Sequence, residues 1–347
     1  MTPRTESDLA HFFATDLLRE LKALEKVRRG VLARVRVMLG IAAGVFAMCV
    51  GIDWLLGLDG KLGVISGFIC IAAGSYAYKV LTREYVGRFK ARVIRRMVEF
   101  IDPELTYLAD GHVSSARFHS SRIFTRYPDR LQGDDLVRGR VGRTDVEFSE
   151  VHAQYKTETT DSKGRKSKKY HTIFKGLFFG ADFNKQFRGK TVVLPDTAER
   201  LFGGAGGFLQ SLNKSRGELV RLEDPEFEKY FVVYGDDQIE ARYVLSTSQV
   251  QRILGFRKKT GRQVHLSFVG SEVFVAVPYR RSLFEPRVFR KITGFKGIRE
   301  YFADLQLALG IVEDLDLNTR IWAAPQHAHS EAASGYPAGE TANPLNS

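Results

Sequence analysis

The stretch MLGIAAGVFAMCVGIDWLLGLDGKLGVISGFICIAAGSYAY, residues 38–78, consists of two apolar segments separated only by Asp59, Gly60 and Lys61. No charged residue falls between Val37 and Ile52, and after Asp53 the apolar character resumes through Trp54, Leu55, Leu56 and Leu58. The first segment is therefore roughly 20 residues long, enough for a helix to cross a bilayer core. The second, Leu62 to Tyr78, is slightly shorter. Snorkelling of Lys79 and the interfacial rings of Tyr76 and Tyr78 extend it, while Trp54 anchors the first segment at the opposite surface. So short a connection predicts an antiparallel hairpin, and the charge asymmetry of its flanks favours the membrane over a pair of buried core helices. A cleaved signal peptide does not fit, because a second span follows at once.

Both flanks are basic. Lys22, Lys26, Arg28, Arg29, Arg34 and Arg36 lead in, Lys79, Arg83, Arg88, Lys90, Arg92, Arg95 and Arg96 lead out, and the turn holds only Lys61 beside Asp59. The positive-inside rule then places both termini, and nearly all the mass, in the cytosol. The expected organisation is a stalk helix over residues 1–36, the hairpin over 37–80, a second stalk helix over 81–102, a cytosolic α+β domain over 103–322 and a disordered tail over 323–347.

The formal net charge of +12 owes much to these flanks, so it speaks first of anionic lipid headgroups and only second of nucleic acid. Cys49 and Cys70, the only cysteines, both lie inside the spans. That excludes a disulfide framework or a cysteine metal site in the soluble part and agrees with a reducing cytosol. Gly40 with Gly44, and Gly63 with Gly67, are small-xxx-small pairs of the kind that let helices approach in lipid. In an antiparallel hairpin the two pairs lie at opposite ends, which leaves homo-oligomer contacts as one use for them and ordinary membrane-helix glycine content as the other.

Leu9, Phe13, Leu17, Leu21 and Leu24 form one amphipathic stripe before the first span, and Tyr85, Phe89, Val93, Met97 and Phe100 form another after the second. Facing each other, they continue the hairpin as a two-helix stalk up to Pro103. From about Leu105 the period changes. Ile123–Tyr127, Leu136–Val141, Val146–Tyr155, Tyr170–Phe183 and Thr191–Leu194 read as strands of an antiparallel meander. Farther on, Phe227–Tyr234 reads as a helical turn entering a strand. Asp237 with Glu240 and Ser248 with Gln251 read as capping pairs, and Gly270-Ser271 reads as a two-residue hairpin turn before Val273–Val277. Ile298, Phe302, Leu305, Leu309 and Val312 mark a last helix that docks on the sheet or the stalk. The fold class is α+β, a two-helix membrane hairpin and stalk followed by a mainly antiparallel sheet with flanking helices.

Few residues invite chemistry. Asp236 and Asp237 are the carboxylate pair to test as an acid/base or metal site, although capping explains them equally well. Lys163, Arg165, Lys166, Lys168 and Lys169 crowd the polar segment Thr157–Lys169. This reads plainly as a solvated hairpin loop, and more sharply as a basic finger for lipid phosphates or an acidic partner. Gly203-Gly204-Ala205-Gly206-Gly207 is followed by Phe208 and Leu209 instead of the Lys and Ser/Thr of a phosphate-binding loop, so it reads as a connector. His112, His119, His152, His171 and His265 show no metal-ligand spacing, although adjacent strands would let His152 meet His171. No G-x-S-x-G nucleophile elbow occurs. No cofactor and no metal is expected.

Several phrases are distinctive: Phe148-Ser149-Glu150-Val151, Phe174-Lys175-Gly176-Leu177-Phe178-Phe179, Ala181-Asp182-Phe183-Asn184-Lys185, Leu222-Glu223-Asp224-Pro225-Glu226-Phe227, Tyr234-Gly235-Asp236-Asp237-Gln238, Glu240-Ala241-Arg242-Tyr243 and Leu317-Asn318-Thr319-Arg320-Ile321-Trp322. With the hairpin and its Leu-Glu-rich leading helix, they resemble a bacterial membrane-protein family catalogued as domain of unknown function number 3137. The resemblance covers nearly the whole chain except the tail. It implies a bacterial inner-membrane protein and supplies no activity, substrate or catalytic residue. The residues themselves favour a membrane-anchored binding or scaffold module over the alternative, a hydrolase-like or metal-dependent enzyme centred on Asp236 and Asp237.

Overall fold

The two apolar stripes share one spacing: four, four, four and three residues from Leu9 to Leu24, and again from Tyr85 to Phe100. An α-helix turns once in 3.6 residues, so three successive steps of four carry a stripe about 120° around the helix. The computed structural model describes residues 4–57, 59–160, 164–183, 185–196 and 216–319, and it absorbs this drift in one widened turn per helix. Helix α1 (Glu6–Leu56) contains a π turn over Phe13–Leu17, and α2 (Lys61–Ile101) contains one over Lys90–Ile94. With one extra residue in each, the stripes stay on one side. Leu9, Leu17, Leu21 and Leu24 are buried, as are Tyr85, Phe89, Val93 and Met97, while Phe13 and Phe100 are half-buried at the ends.

Both helices are long and apolar enough to cross a membrane, and only 6% of the most apolar window of each is buried. Core helices of a soluble protein would be mostly covered; here Trp54 is 85% exposed and Phe68 72%. Gly57 ends α1 in the left-handed conformation that its missing side chain permits. Asp53 is not a mere interruption of the first span. It is buried and accepts the Leu62 backbone N–H at 3.3 Å, satisfying a free amide at the start of α2. Gly63 and Gly67 face α1, where an added Cβ would lie 3.4 Å from Val50 and Phe46 respectively. The same atom on Gly40 or Gly44 would meet nothing within 4 Å. Only one glycine pair serves the contact within the hairpin.

Among the described residues, nine strands form one antiparallel sheet: β1 Thr106–Leu108, β2 Arg130–Val141, β3 Thr144–Thr160, β4 Lys166–Asp182, β5 Lys190–Pro195, β6 Glu218–Val220, β7 Phe231–Gly235, β8 His265–Val269 and β9 Glu272–Pro278. Their order is β1-β2-β3-β4-β9-β8-β5-β7-β6. Only β1 to β4 make a simple meander; β4 then pairs with β9, Gly176 opposite Pro278 and Asp182 opposite Glu272. Short helices α3 (Ser115–Ser120), α4 (Pro225–Glu228) and α5 (Gln238–Val244) and the longer α6 (Thr247–Thr260) and α7 (Phe295–Asp314) flank the sheet. One face, with Phe148, Leu177, Phe179 and Val275, shares a core with both stalk helices, α6 and α7. The other, with Val151, Phe178 and Phe274, is covered by residues 113–124. The last helix docks on both sheet and stalk. Its Ile298, Phe302, Leu305, Leu309 and Val312 are buried, and Phe302 lies 6.3 Å from Phe100.

Four local expectations are corrected. Ile123–Tyr127 is not a strand, because Ile123 and Phe124 plug the second core from an irregular segment. Thr157–Lys169 is not mainly loop, since β3 and β4 stay paired out to Thr160 opposite Lys166. The Thr-rich strand and the Glu158 carboxylate, 2.8 Å from Lys156 and 3.9 Å from Lys168, sustain the ladder. Asp237 does cap α5, accepting from the Ile239 and Glu240 amides at 2.7 and 3.0 Å, but Glu240 does not reach back to close a capping box. Helix α6 is led by Ser246 without a side-chain cap, and Gln251 donates to Asp224 at 2.7 Å instead. The Gly270-Ser271 turn joins β8 to β9 as read. Lys163, the glycine-rich connector at Leu201–Gly207 and the tail lie outside the described residues.

Candidate functional site

The polar centre of the described molecule lies where α2 meets the edge of the sheet. Lys90 opens the π turn directly after the stripe residue Phe89, and its side chain is only 5% exposed. Its ammonium donates to Asp134 at 2.5 Å and Asp135 at 2.8 Å. Those carboxylates come from a β-bulge in β2. Asp134 pairs with Glu150 and Val137 with Phe148, so β2 has one residue more than β3 between these pairs. Asp135 takes the left-handed conformation, φ 60°, and its amide donates to Ala109 O at 3.0 Å. Tyr107 of β1 donates its hydroxyl to the other Asp135 oxygen. Glu150 on β3 completes the group and accepts the Leu283 amide at 2.8 Å.

The electrostatics follow from the geometry. Burial, then the charge of adjacent Asp134, pushes the Asp135 carboxyl up to about 7 against the pull of Lys90 and Tyr107. Burial alone would lower Lys90, but Asp135 and Asp134 outweigh it and hold the ammonium above its usual range. Burial, with Asp135 beside it, raises the Tyr107 phenol, and burial also raises Glu150. One oxygen each from Asp134, Asp135 and Glu150 lie within 4.8 Å of one another, a spacing that suits a divalent cation. Lys90 Nζ already holds the cation position toward two of them. A π turn, a β-bulge and a positive-φ aspartate converge here, three irregularities that recur at functional sites.

A cleft of about 970 Å³ opens above this network. Its α2 wall carries Lys79, Thr82, Arg83, Gly87 and Arg95, and its far walls are the turn at Leu108–Gly111 and the segment Glu285–Val288. A second buried ion pair holds that segment in place. Glu25 and Arg28 meet at 2.7 Å on α1, Arg28 donates to Val288 O at 2.7 Å, and the Ile292 amide reaches Glu25 at 3.5 Å. Hydrogen bonding by Arg28 holds the Glu25 carboxyl down at about 2.

The residues singled out from sequence lie elsewhere. Asp236 and Asp237 are exposed. Asp236 accepts the Lys190 amide at 3.2 Å and meets its ammonium at 3.0 Å, while Asp237 caps α5. Glu240, beside them, accepts the Arg188 and Gly189 amides at 2.8 and 2.9 Å. These carboxylates are occupied by backbone donors. His152 and His171 do not meet: His152 contacts Thr172 at 2.9 Å, and His171 stacks on Tyr155 with ring centres 5.0 Å apart. Of the basic finger, Arg165, Lys166, Lys168 and Lys169 are described and exposed at the β3–β4 tip. The sequence reading missed Lys90, Asp134, Asp135 and Glu150; the available signal was two adjacent acids next to Gly133 within a strand.

No protein of curated function matches the chain. Among solved structures, the crystal structure of the mycobacterial trehalose monomycolate transport factor A, TtfA, is similar at 10% identity. The match covers 62% of this chain and 94% of that one, with a TM-score of 0.31, too low to carry a structural argument. The family model described as "Protein of unknown function (DUF3137)" matches residues 172–317, from the second half of β4 to just past α7, leaving Lys90, Asp134, Asp135 and Glu150 outside it. Over those residues the chain is thus similar to the DUF3137 family, the one that its distinctive phrases resemble.

Proposed function

We propose that this protein is a membrane-anchored binding module with both ends cytosolic, whose sheet is held at the anionic inner surface of the bilayer with the β3–β4 hairpin directed toward lipid. The observation that carries the proposal is the direction of that hairpin. Along β2, Arg138 lies opposite Thr106, just past the end of the stalk, and Asp134 lies at Lys90, closer to the spans. The β2–β3 pairs therefore advance toward the bilayer, and β3 continues the same way from Glu150 to Thr160.

Ten residues of strand span about 33 Å at 3.3 Å each. From Lys90 back to Tyr78, where the second span ends, twelve residues of helix span about 18 Å. The tip therefore reaches the level of Tyr78 for any inclination up to about 55° between strand and helix. Four exposed basic residues then fall within the roughly 8–10 Å range of charge attraction, each contributing on the order of 1 kcal/mol near an anionic surface.

The test places a bimane label on the introduced thiol of a Ser167→Cys variant, the native cysteines being replaced by Ser, in full-length protein reconstituted into vesicles. Nitroxide at the headgroup of an anionic lipid should quench it at low salt and less at high salt. Changing Arg165, Lys166, Lys168 and Lys169 to Ser should abolish the quenching. Equal quenching in variant and parent, or none in either, leaves the hairpin a solvated projection and removes the proposal.

A further inference from the structure

A second cavity lies directly below the polar cleft. It is an apolar groove of about 750 Å³ between the two spans, lined by Met38, Ala42, Phe46, Cys70 and Gly74 and closed at its cytosolic end by Phe289. Phe289 belongs to the sheet domain, yet it is 63% exposed and stacks on Tyr78 of the second span with ring centres 6.2 Å apart. Tyr78 lines both cavities, and the adjacent residues Val288 and Phe289 line one each. Cleft and groove are thus successive parts of one path, polar above and apolar below.

The polar part offers cations without partners. Lys79 and Arg83 stand four residues apart on one face of α2, with Arg95 farther along the same wall. All three are exposed, and among the described residues none is ion-paired, unlike Lys90 deeper in the cleft. Each cavity falls in the size range of ligand sites. Resting on the membrane reading above, we propose that this path binds one phospholipid, its phosphate on Lys79 and Arg83 and an acyl chain in the groove behind Phe289. Charge complementarity selects the phosphate, since guanidinium and ammonium groups close to the bilayer surface gain most from a phosphate oxygen. Continuity with the spans selects the chain, since a groove facing lipid offers an acyl tail an apolar wall with no polar group left unsatisfied.

Native mass spectrometry of the delipidated full-length protein in detergent, titrated with palmitoyl-oleoyl-phosphatidylglycerol, reads the stoichiometry. Wild type should retain one lipid per chain. The Lys79→Ser, Arg83→Ser double variant should lose about tenfold in affinity, the equivalent of one charge-assisted hydrogen bond. Gly74→Phe should lose a comparable factor, because Gly74 lines the groove and a Cβ added there meets no atom within 4 Å, which leaves room for a ring to occupy the groove. Arg140→Ser, at an exposed pair with Asp145, should bind as wild type. Circular dichroism matching wild type qualifies each variant as folded. No discrete one-lipid species overturns the proposal. So does loss in the Lys79/Arg83 variant with none in Gly74→Phe, which reduces the site to surface charge. A chain that stays soluble without detergent instead overturns the membrane reading itself.

Discussion

Replacing Lys90 by Met removes the single cation from a buried group of carboxylates while keeping most of the side chain's length. Burial and the charge of Asp134 push the Asp135 carboxyl up to about 7 in the folded chain, against about 3.9 unfolded. Between those values the folded state holds the extra proton, so in wild type this group's contribution to stability falls as pH rises and then levels off above 7. Without Lys90 the carboxyl loses its main opposing charge and stays protonated to higher pH. The variant therefore keeps losing about 1.4 kcal/mol for each pH unit above 7, where wild type no longer does. At pH 5 Asp135 is neutral in both chains, and the remaining difference is the lost contact to Asp134 and the altered packing. The stability gap should thus widen by about 2–3 kcal/mol from pH 7 to 9. Urea unfolding of full-length protein in detergent, followed by far-ultraviolet circular dichroism at several pH values, measures it. Adding Asp135→Asn to Lys90→Met should flatten the widening, because the titrating group is gone. A gap independent of pH, or one that persists unchanged in the double variant, refutes the assignment of Asp135 as the group that Lys90 holds in balance.

Asp237→Ala should cost about 1 kcal/mol as a lost N-cap and leave the metal content of the purified protein unchanged, whereas loss of a stoichiometric metal would favour the enzyme reading. Gly176→Ala should cost about 4 kcal/mol or prevent folding, since its φ is 153° and a Cβ would sit 2.2 Å from the Val277 carbonyl oxygen on the paired strand; soluble expression and thermal unfolding report it. A reporter active only outside the cytosol, fused after Trp322, should remain dark, and activity there would invert the topology.

What was legible in the sequence was local. The hairpin could be read because its apolar windows and basic flanks are each continuous in the chain, and the stalk because its stripes repeat within 16 residues. The Asp237 cap and the Gly270-Ser271 turn were legible for the same reason. Side-chain partners were not. Glu240 looked like the second half of a capping box, but its carboxylate serves Arg188 and Gly189, about fifty positions earlier in the chain. The pairing of β4 with β9 joins segments about a hundred residues apart. The Lys90 network needed both kinds of distant information. Its lysine sits 44 and 45 residues from its carboxylates, and the bulge that turns Asp135 inward exists only once β3 is in register. The paired acids chosen from sequence, Asp236 and Asp237, face solvent, while a pair not chosen, Asp134 and Asp135, meets a buried ammonium.

The widened turns over Phe13–Leu17 and Lys90–Ile94 also set the axial phase between the apolar windows of the two helices and the parts of them that pack on the sheet. Each extra residue advances its helix by about 100°, so a span joined to the core through an unbroken α-helix would present a different side to its neighbour. Each widened turn takes up the residue that an unbroken α-helix would convert into rotation, so stripe and flanking apolar segment keep one phase in α1 and in α2. Deleting Ala91 would leave the second span and Lys90 in their present phase, since both precede the cut, and would remove the residue that the widened turn takes up ahead of Val93 and Met97.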